Sequence, residues 1–152
     1  MRKKAYIEIE IDRLTNSIEN SVSGDKFDTE VLGLSKEDLK KLKKKDWLFD
    51  WHSESKQKDR LVFKLVIKGN QDVIQGLVSL SLEDDHVYMH LIESAKFNKG
   101  QGKLYVGAPG NLVAFVCKYS LENGHDGFIA FDAKTVLIKH YEETLFATHF
   151  NG

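Results

Sequence analysis

Hydrophobic and polar residues alternate in four stretches of this chain, and an alternation with a period of two predicts strands with one buried face. The stretches are "AYIEIEID", "RLVFKLVIK", "VIQGLVSLSLE" and "HVYMHLIES", which begin at residues 5, 60, 73 and 86. Short turns at "NQD" and "DD" separate the last three. Turns this short join antiparallel neighbours, so residues 60–94 are predicted to form an antiparallel meander.

Apolar residues at helical spacing predict two helices between the first strand and this meander. The first has Asp12 as its cap and Gly24 as its stop, with apolar residues at every fourth position: Leu14, Ile18 and Val22. The second, "SKEDLKKLKKK", has Ser35 as its cap and an acidic residue three positions later, at Asp38. No aromatic residues interleave its lysines, so a solvated helix face is favoured over a nucleic-acid patch.

Two segments beside the second helix have weaker patterns. Residues 25–34 are predicted to form a loop. "DWLFDWHSES" is predicted to be extended, with Trp47, Phe49 and Trp51 on one side. Aromatic residues in such a row usually form core or a lid over a sheet, and a ligand wall is the alternative.

The pattern changes after residue 94. "KLYVGAPGNLVAFVCKYSLENG", residues 103–124, predicts a buried helix that is entered through Gly107, Pro109 and Gly110 and stops at Gly124. "GFIAFDA" is a short, continuously apolar run of the kind that parallel strands have. Thr135 then caps a last helix, "VLIKHYEETLF", whose apolar side carries residues at four-residue spacing: Leu137, Tyr141 and Leu145.

Residues 87–131 are therefore predicted to form a strand, a crossover helix and a parallel strand, in a mixed sheet of the α+β class. Ligands of such units bind near the helix N-terminus, where backbone N–H groups lack partners and the helix dipole favours negative charge. Glycines let a phosphate approach that backbone closely. "VGAPGN" thus has the chemistry of an anion cradle, although glycines also serve ordinary tight turns.

Composition and charge narrow the class of protein. A chain of 152 residues without a Ser/Pro-rich linker predicts one domain, residues 1–152. Its net charge of -1 gives no reason to expect nucleic acid as a partner, and no apolar run is long enough to predict a membrane span. The single cysteine, Cys117, excludes an internal disulfide and favours a reducing compartment, so a cytoplasmic location is expected.

The order of the elements, the "LYVGAPGNLV" stretch and the tyrosine of "HYEETLF" resemble the GNAT superfamily of acetyl-CoA-dependent N-acetyltransferases. That family has the signature Arg/Gln-x-x-Gly-x-Gly/Ala before a long helix. The resemblance puts Leu104 at the Arg/Gln position, Gly107 at the first glycine and Pro109 at the second. It extends over the whole chain in element order, and over residues 87–146 in motif detail.

This resemblance implies a GNAT-like fold with an antiparallel N-terminal meander, one parallel pair and flanking helices, and acetyl-CoA as the cosubstrate. Backbone amides of the signature would bind the pyrophosphate. The implied cofactor-binding residues are Ile92, Val106, Gly107, Ala108, Gly110 and Asn111. The family continues past its last helix into further strands, so either the sheet is incomplete here or the sequence, which ends at "THFNG", is trimmed.

The family's reaction is the direct transfer of an acetyl group to a primary amine. Tyr141 is the implied acid that protonates the departing thiolate, and its alternative is a core tyrosine bonded to a carbonyl. Glu93 is the candidate base, expected on the same strand face as Val87, Met89 and Leu91. Its alternative is a strand-end glutamate in water.

Two histidines, the cysteine and two departures from the family's signature bear on whether the protein is an enzyme. His86 and His90 have no third metal ligand nearby and are interpreted as surface or substrate-side residues, and Cys117 as a small buried hydrophobe. Pro109 has no N–H to donate, and Leu104 lacks the polar group of the signature, so Lys99 and Lys103 would have to supply positive charge. A degenerate module that binds coenzyme A or a protein partner without chemistry is thus the alternative function. The acceptor and the oligomeric state are not specified by the sequence.

Overall fold

The computed structural model describes residues 17–124 and 129–131. Seven strands in this part of the chain form one sheet. They are β1 (Ser17–Asn20), β2 (Lys26–Gly33), β3 (Leu61–Ile67), β4 (Gly76–Leu82), β5 (Val87–Ser94), β6 (Tyr105–Val106) and β7 (Ile129–Phe131).

The described helices lie between these strands. They are α1 (Lys36–Lys41), α2 (Trp51–Ser55) and α3 (Ala108–Glu122), with 3₁₀ turns at Lys44–Asp46 and Lys96–Asn98. Ser35 and Asp38 form the predicted reciprocal cap of α1, since each side chain bonds the other residue's backbone N–H.

The sheet has the order β6-β1-β2-β3-β4-β5-β7. Strands β3, β4 and β5 form the predicted antiparallel meander, and β2 extends it. Strand β5 pairs in parallel with β7, and α3 connects the two along the chain. The predicted α+β class, with a mixed sheet and one parallel pair, is confirmed for the described residues.

The sheet separates two hydrophobic clusters. Helix α3 covers one face, which we call the α3 side. Its core includes Leu65, Val78, Leu80, Val87, Met89, Ile92, Leu112 and Cys117. The opposite face, the α2 side, is covered by a smaller cluster around Leu42, Trp51 and Leu77.

Close contact between α3 and the sheet depends on Gly76 at the start of β4. A Cβ atom at this position would lie 2.8 Å from Cδ1 of Leu112 and 3.1 Å from the carbonyl oxygen of Glu93. A larger residue would therefore force the Leu112 side chain to move and would crowd the backbone of β5.

The helix predicted from Asp12 to Gly24 is wrong over its described part. Ser17–Asn20 is a strand, and Ser21 to Gly24 form a turn in which Asn20 Oδ1 accepts from the backbone N–H groups of Val22 and Ser23. Ile18 is 1% exposed whereas Val22 is 92% exposed, so these residues do not share a buried face. Pairing with β2 and β6 outweighs the four-residue spacing.

The loop predicted at 25–34 is also wrong, because Lys26–Gly33 is strand β2. Two of its alternate residues, Thr29 and Val31, face α3: Thr29 bonds Asn111, and Val31 packs against the α3-side core. Charged residues alternate with these positions, so the hydrophobic pattern with a period of two is weak in the sequence.

The extended segment predicted around residues 47–51 ends in a helix instead. Asp50 accepts a hydrogen bond from the N–H of Ser53 and so caps α2, which begins at Trp51. Trp47, Phe49 and Trp51 still belong to one cluster, as core residues of the α2 side. The strand predicted at residues 5–12 and the last helix with Tyr141 lie outside the described residues.

Candidate functional site

The glycine-rich entry to α3 begins with Gly107, the N-cap residue. Its φ of 107° lies in the left-handed region, which side chains disfavour. Val106 before it is 43% exposed, whereas Ala108, Pro109 and Gly110, the first turn of α3, are buried. No acidic side chain lies in this turn and no side chain caps it, so the helix dipole is not neutralised locally.

Asn111 has an internal role at this entry. Its backbone N–H donates to the carbonyl oxygen of Gly107 at 3.0 Å and so forms the first bond of the helix. Its side-chain amide donates to Ser17 and Gly107 and accepts from the hydroxyl of Thr29. Of the donors that the sequence indicates, Asn111 is therefore already used, and Ala108 and Gly110 keep backbone N–H groups without an acceptor within the described ranges.

Glu93, the predicted base, is fully buried on the α2 side and accepts four hydrogen bonds. Oε2 accepts from the N–H of Leu48 at 2.6 Å and from Nζ of Lys99 at 3.0 Å. Oε1 accepts from the N–H of Phe49 at 3.1 Å and from Nε1 of Trp51 at 2.9 Å. This carboxylate joins the sheet to the segment before α2 and to the loop after β5, and the ammonium group of Lys99 is engaged with it.

A β-bulge in β5 corrects the predicted strand face. Leu80 pairs with Met89 but Ser79 pairs with Leu91, so His90 is an extra residue without a partner position on β4. The alternation therefore shifts at this point. Val87 and Met89 face the α3-side core, whereas Leu91 packs in the α2-side cluster, to which Glu93 is also bonded. Ile92, an implied coenzyme contact, is buried in the α3-side core.

The bulge places His90 in a group of polar residues on the α2 side, which we call the His90 cluster: Ser81, Glu83, Tyr88 and His90. Nε2 of His90 lies 2.7 Å from Oγ of Ser81, and Oγ of Ser81 donates to Oε2 of Glu83 at 2.9 Å. The rings of Tyr88 and His90 are in contact, with centroids 4.6 Å apart and planes tilted by 44°. His86 is bonded to Asp85 in the turn before β5, and its ring centroid lies 6.5 Å from that of Tyr88, but it takes no part in the hydrogen bonds of the cluster.

Burial of the imidazole and the nearby Arg60 guanidinium lower the pKa of His90 below its usual value. The carboxylates of Glu54, Asp59 and Glu83 oppose this shift but do not reverse it. His90 is therefore neutral at pH 7. The sequence indicated only that His90 is a surface or substrate-side histidine, since neither the bulge nor its hydrogen bond can be read from a strand pattern.

Cys117 is confirmed as a buried residue of the α3 side. Burial raises the pKa of its thiol to about 12, so it is not a nucleophile at neutral pH. Within residues 17–124 and 129–131, no three His, Cys, Asp or Glu side chains are arranged to hold a metal ion. No helix in the same ranges is both long and apolar enough to cross a membrane.

The fold is similar to that of a solved protein named "Putative acetyl transferase from Pyrococcus furiosus". The TM-score is 0.50 at 17% sequence identity, and the match covers 76% of this chain and 91% of that one. No protein-family model and no curated protein matches the sequence. This similarity shows that the two chains share a fold. It does not extend to the residues of a site.

Proposed function

We propose that this protein is an acyltransferase of the GNAT type, which moves an acetyl group from acetyl-CoA directly to a primary amine. The observation that carries the proposal is the β5–α3–β7 unit, with its glycine-rich helix entry, in a fold similar to that of a protein named as an acetyltransferase.

The pyrophosphate of coenzyme A would bind at residues 106–111. The positive end of the α3 dipole and the N–H groups of Ala108 and Gly110 favour an anion there, and no carboxylate in the first turn competes. The α3 entry lies at β1 and β2, since Asn111 bonds Ser17 and Thr29, so the pantetheine arm would cross β3 and β4 to reach the bulge in β5 at His90.

Tyr141 remains the proposed acid, on the strength of the resemblance alone. An amine would attack the thioester carbonyl, and the tyrosine hydroxyl would protonate the sulfur as the C–S bond breaks. Glu93 is no longer our preferred base, because its two oxygens already accept four hydrogen bonds and its side chain is 0% exposed.

A module that binds coenzyme A or a protein partner without chemistry is the second candidate. Two features near the α3 entry favour it: Pro109 has no N–H, and Leu104 lacks the polar group of the family's signature. Acetylation of an amine by the protein would exclude this candidate. Binding of coenzyme A without acetylation of any amine would support it.

Charge variants at Val106 test the binding site. This residue is exposed and precedes Gly107, so its side chain can change without straining the left-handed glycine. A Val106→Glu variant should weaken binding of coenzyme A about fivefold, and Val106→Lys should tighten it, because a unit charge near a phosphate changes the binding free energy by about 1 kcal/mol. Isothermal titration calorimetry with coenzyme A measures both.

The matched control is Leu82→Glu, which introduces the same charge at a 44% exposed position of β4 that is remote from the α3 entry. It should leave the dissociation constant unchanged. Equal dissociation constants for the two Val106 variants would contradict the assigned pyrophosphate site. No binding of coenzyme A to the unchanged protein would contradict the acyltransferase proposal and would leave, of the second candidate, only a module that binds a protein partner.

A further inference from the structure

We propose that His90 is the general base of this protein: Nδ1 of its imidazole takes the proton of the acceptor amine, which binds on the α2 side of the sheet beside the His90 cluster. This inference rests on the proposed acetyl transfer, and it replaces Glu93 by a residue that sequence patterns did not select for this role.

The hydrogen bonds of the cluster determine which nitrogen of His90 is basic. The Ser81 hydroxyl has one proton, and it donates that proton to the carboxylate of Glu83 at 2.9 Å. Toward His90, 2.7 Å away, Ser81 must therefore accept, so Nε2 carries the hydrogen of the neutral ring. Nδ1 then has the free lone pair. No hydrogen bond to Nδ1 occurs among the described residues, and His90 is half-buried, so this nitrogen can meet a substrate.

The same contacts exclude Ser81 as a nucleophile. A histidine activates a serine by accepting its proton, but here Nε2–H of His90 donates to the hydroxyl oxygen, and the serine proton is bonded to the carboxylate of Glu83. Ser81 is also only 2% exposed. Its role is to hold the tautomer and the orientation of the imidazole, which makes it a positioning residue.

The charges around His90 suit a cationic acceptor. Three carboxylates act on the imidazole, those of Glu54, Asp59 and Glu83, against one guanidinium, that of Arg60. Arg60 is itself paired with Glu54 at 3.2 Å and with Asp59 at 3.0 Å. Three negative charges beside one positive charge favour an ammonium group over an anionic or neutral substrate. The charges therefore favour an acceptor that arrives as an ammonium ion, as the proposed transfer to an amine requires.

The proton balance of the step is complete without any other reactant. The acceptor enters as an ammonium ion and loses one proton to Nδ1 of His90, which becomes an imidazolium and later releases the proton to water. The amine lone pair forms the N–C bond to the thioester carbonyl and the C–S bond breaks. A second proton passes from the former amine nitrogen to the thiolate, directly or through another group, so that the products are an amide and coenzyme A.

The decisive variant is His90→Gln, whose amide can still donate to Ser81. With acetyl-CoA and an amine panel of spermidine, kanamycin and a lysine peptide, kcat should fall by about 10²-fold or more, while KM for acetyl-CoA changes less than about twofold. The matched control, His86→Gln, should retain the rate. Added imidazole should partly restore the rate of His90→Ala.

The dependence of the rate on pH gives a second test, because substitution near a residue with only a structural role would not shift it. The rate should fall as the pH drops through the pKa of His90. Since Arg60 lowers that pKa, Arg60→Gln should shift the acidic limb of the profile to higher pH, and Lys58→Gln, at an exposed lysine in the same loop, should not.

Nitrogen-15 NMR of the labelled imidazole tests the tautomer without any turnover, and it should show a neutral ring at pH 7 with the hydrogen on Nε2. An imidazolium, or the hydrogen on Nδ1, would overturn the proposal. So would amine acetylation by His90→Gln at the wild-type rate, with the acetyltransferase assignment left standing. No acetylation of any amine by the unchanged protein would overturn the acetyltransferase function and the base together.

Discussion

The α3 side of the sheet is packed mainly with apolar side chains, with the Asn111–Thr29 hydrogen bond at the helix entry. The α2 side also buries a carboxylate, hydroxyls and an ammonium group next to its aromatic residues. Leu80 and Ser79 are neighbours on β4 and both are 0% exposed, yet one packs under α3 and the other donates its hydroxyl to Glu54. Alternation along one strand thus supplies two faces with different chemistry.

The difference indicates what each face contributes. Dispersion and hydrophobic burial hold α3 against the sheet, and these interactions tolerate exchange between similar apolar groups. Hydrogen bonds and ion pairs hold the α2 side, and they fix the direction of each polar group. A face of the second kind is where a base can be positioned, and it is the face that contains His90.

The variant Glu93→Gln should show the largest effect on stability. It removes the negative charge that balances Lys99. It also replaces one carboxylate oxygen by an amide NH₂, which cannot accept the hydrogen bonds that this oxygen accepts in the unchanged protein. We expect the free energy of unfolding to fall by about 3–5 kcal/mol, as when one partner of a buried ion pair is removed. Urea denaturation measures it. Glu122→Gln, at the exposed end of α3, is the control, and a loss below about 1 kcal/mol would mean that the α2 side is not held together by this carboxylate.

On the α3 side, Leu80→Ala should cost about 3 kcal/mol, because it removes buried methyl groups and leaves a cavity under α3. The control in the same strand is Leu82→Ala, where the side chain is 44% exposed and the loss should be well under 1 kcal/mol. Thermal or urea unfolding of both variants sharpens the comparison. Similar losses at the two positions would contradict the one-sided core of β4.

A smaller and pH-dependent effect is expected at Asp38, which bonds Lys64 at 2.7 Å on the α2 side. Burial raises the pKa of this carboxyl, but its hydrogen bonds with Lys64 and Ser35 outweigh burial and hold the pKa below its usual value. A carboxylate with a lowered pKa stabilises the folded state above its unfolded pKa of about 3.9, and this contribution is lost as the pH falls through the lower folded value.

The variant Asp38→Asn should therefore lose about 1–2 kcal/mol near pH 7 and should show a weaker decline in stability below about pH 4 than the unchanged protein. Urea midpoints between pH 7 and pH 3 measure both quantities. Asp72→Asn, at a side chain that is 86% exposed, serves as the control and should change the stability by less than about 0.5 kcal/mol. If the stability of Asp38→Asn falls as steeply below pH 4 as that of the unchanged protein, another group is responsible for the acid dependence.

Strong local patterns explain what the sequence predicts correctly. The meander has clear alternation and short turns, α1 has a reciprocal cap, and α3 is long and apolar between Gly107 and Gly124. The sequence does not predict strand β2 because charged residues occupy its other face. It does not predict β1 because the four-residue spacing of apolar residues, which indicated a helix, also occurs in a strand followed by a turn. Local patterns compete there with pairing to distant strands, which a single sequence does not display.

The candidate site was harder to predict for a physical reason. A bulge inserts one residue and reverses the strand face after it, so the predicted surroundings of Glu93 are wrong, and the sequence identifies His90 only as a surface or substrate-side residue. The four donors around Glu93 come from residues 48, 49, 51 and 99, and their convergence depends on the tertiary fold. The roles of Tyr141 and of the α3 entry stay predictions.

The amide of Asn111 has a consequence for the synthesis of the chain. It donates a hydrogen bond to the carbonyl oxygen of Ser17, which lies 94 positions earlier in the chain. Strand β1 also pairs with β6, which is its outer neighbour in the sheet. A ribosome that adds about 5–20 residues per second requires about 5–20 s to make Asn111 after Ser17 has been made. During this interval β1 has neither its pairing with β6 nor the hydrogen bond from Asn111. The N-terminal edge of the sheet is thus closed among the last steps of folding, and a nascent chain paused before residue 105 would present an open strand to other nascent chains.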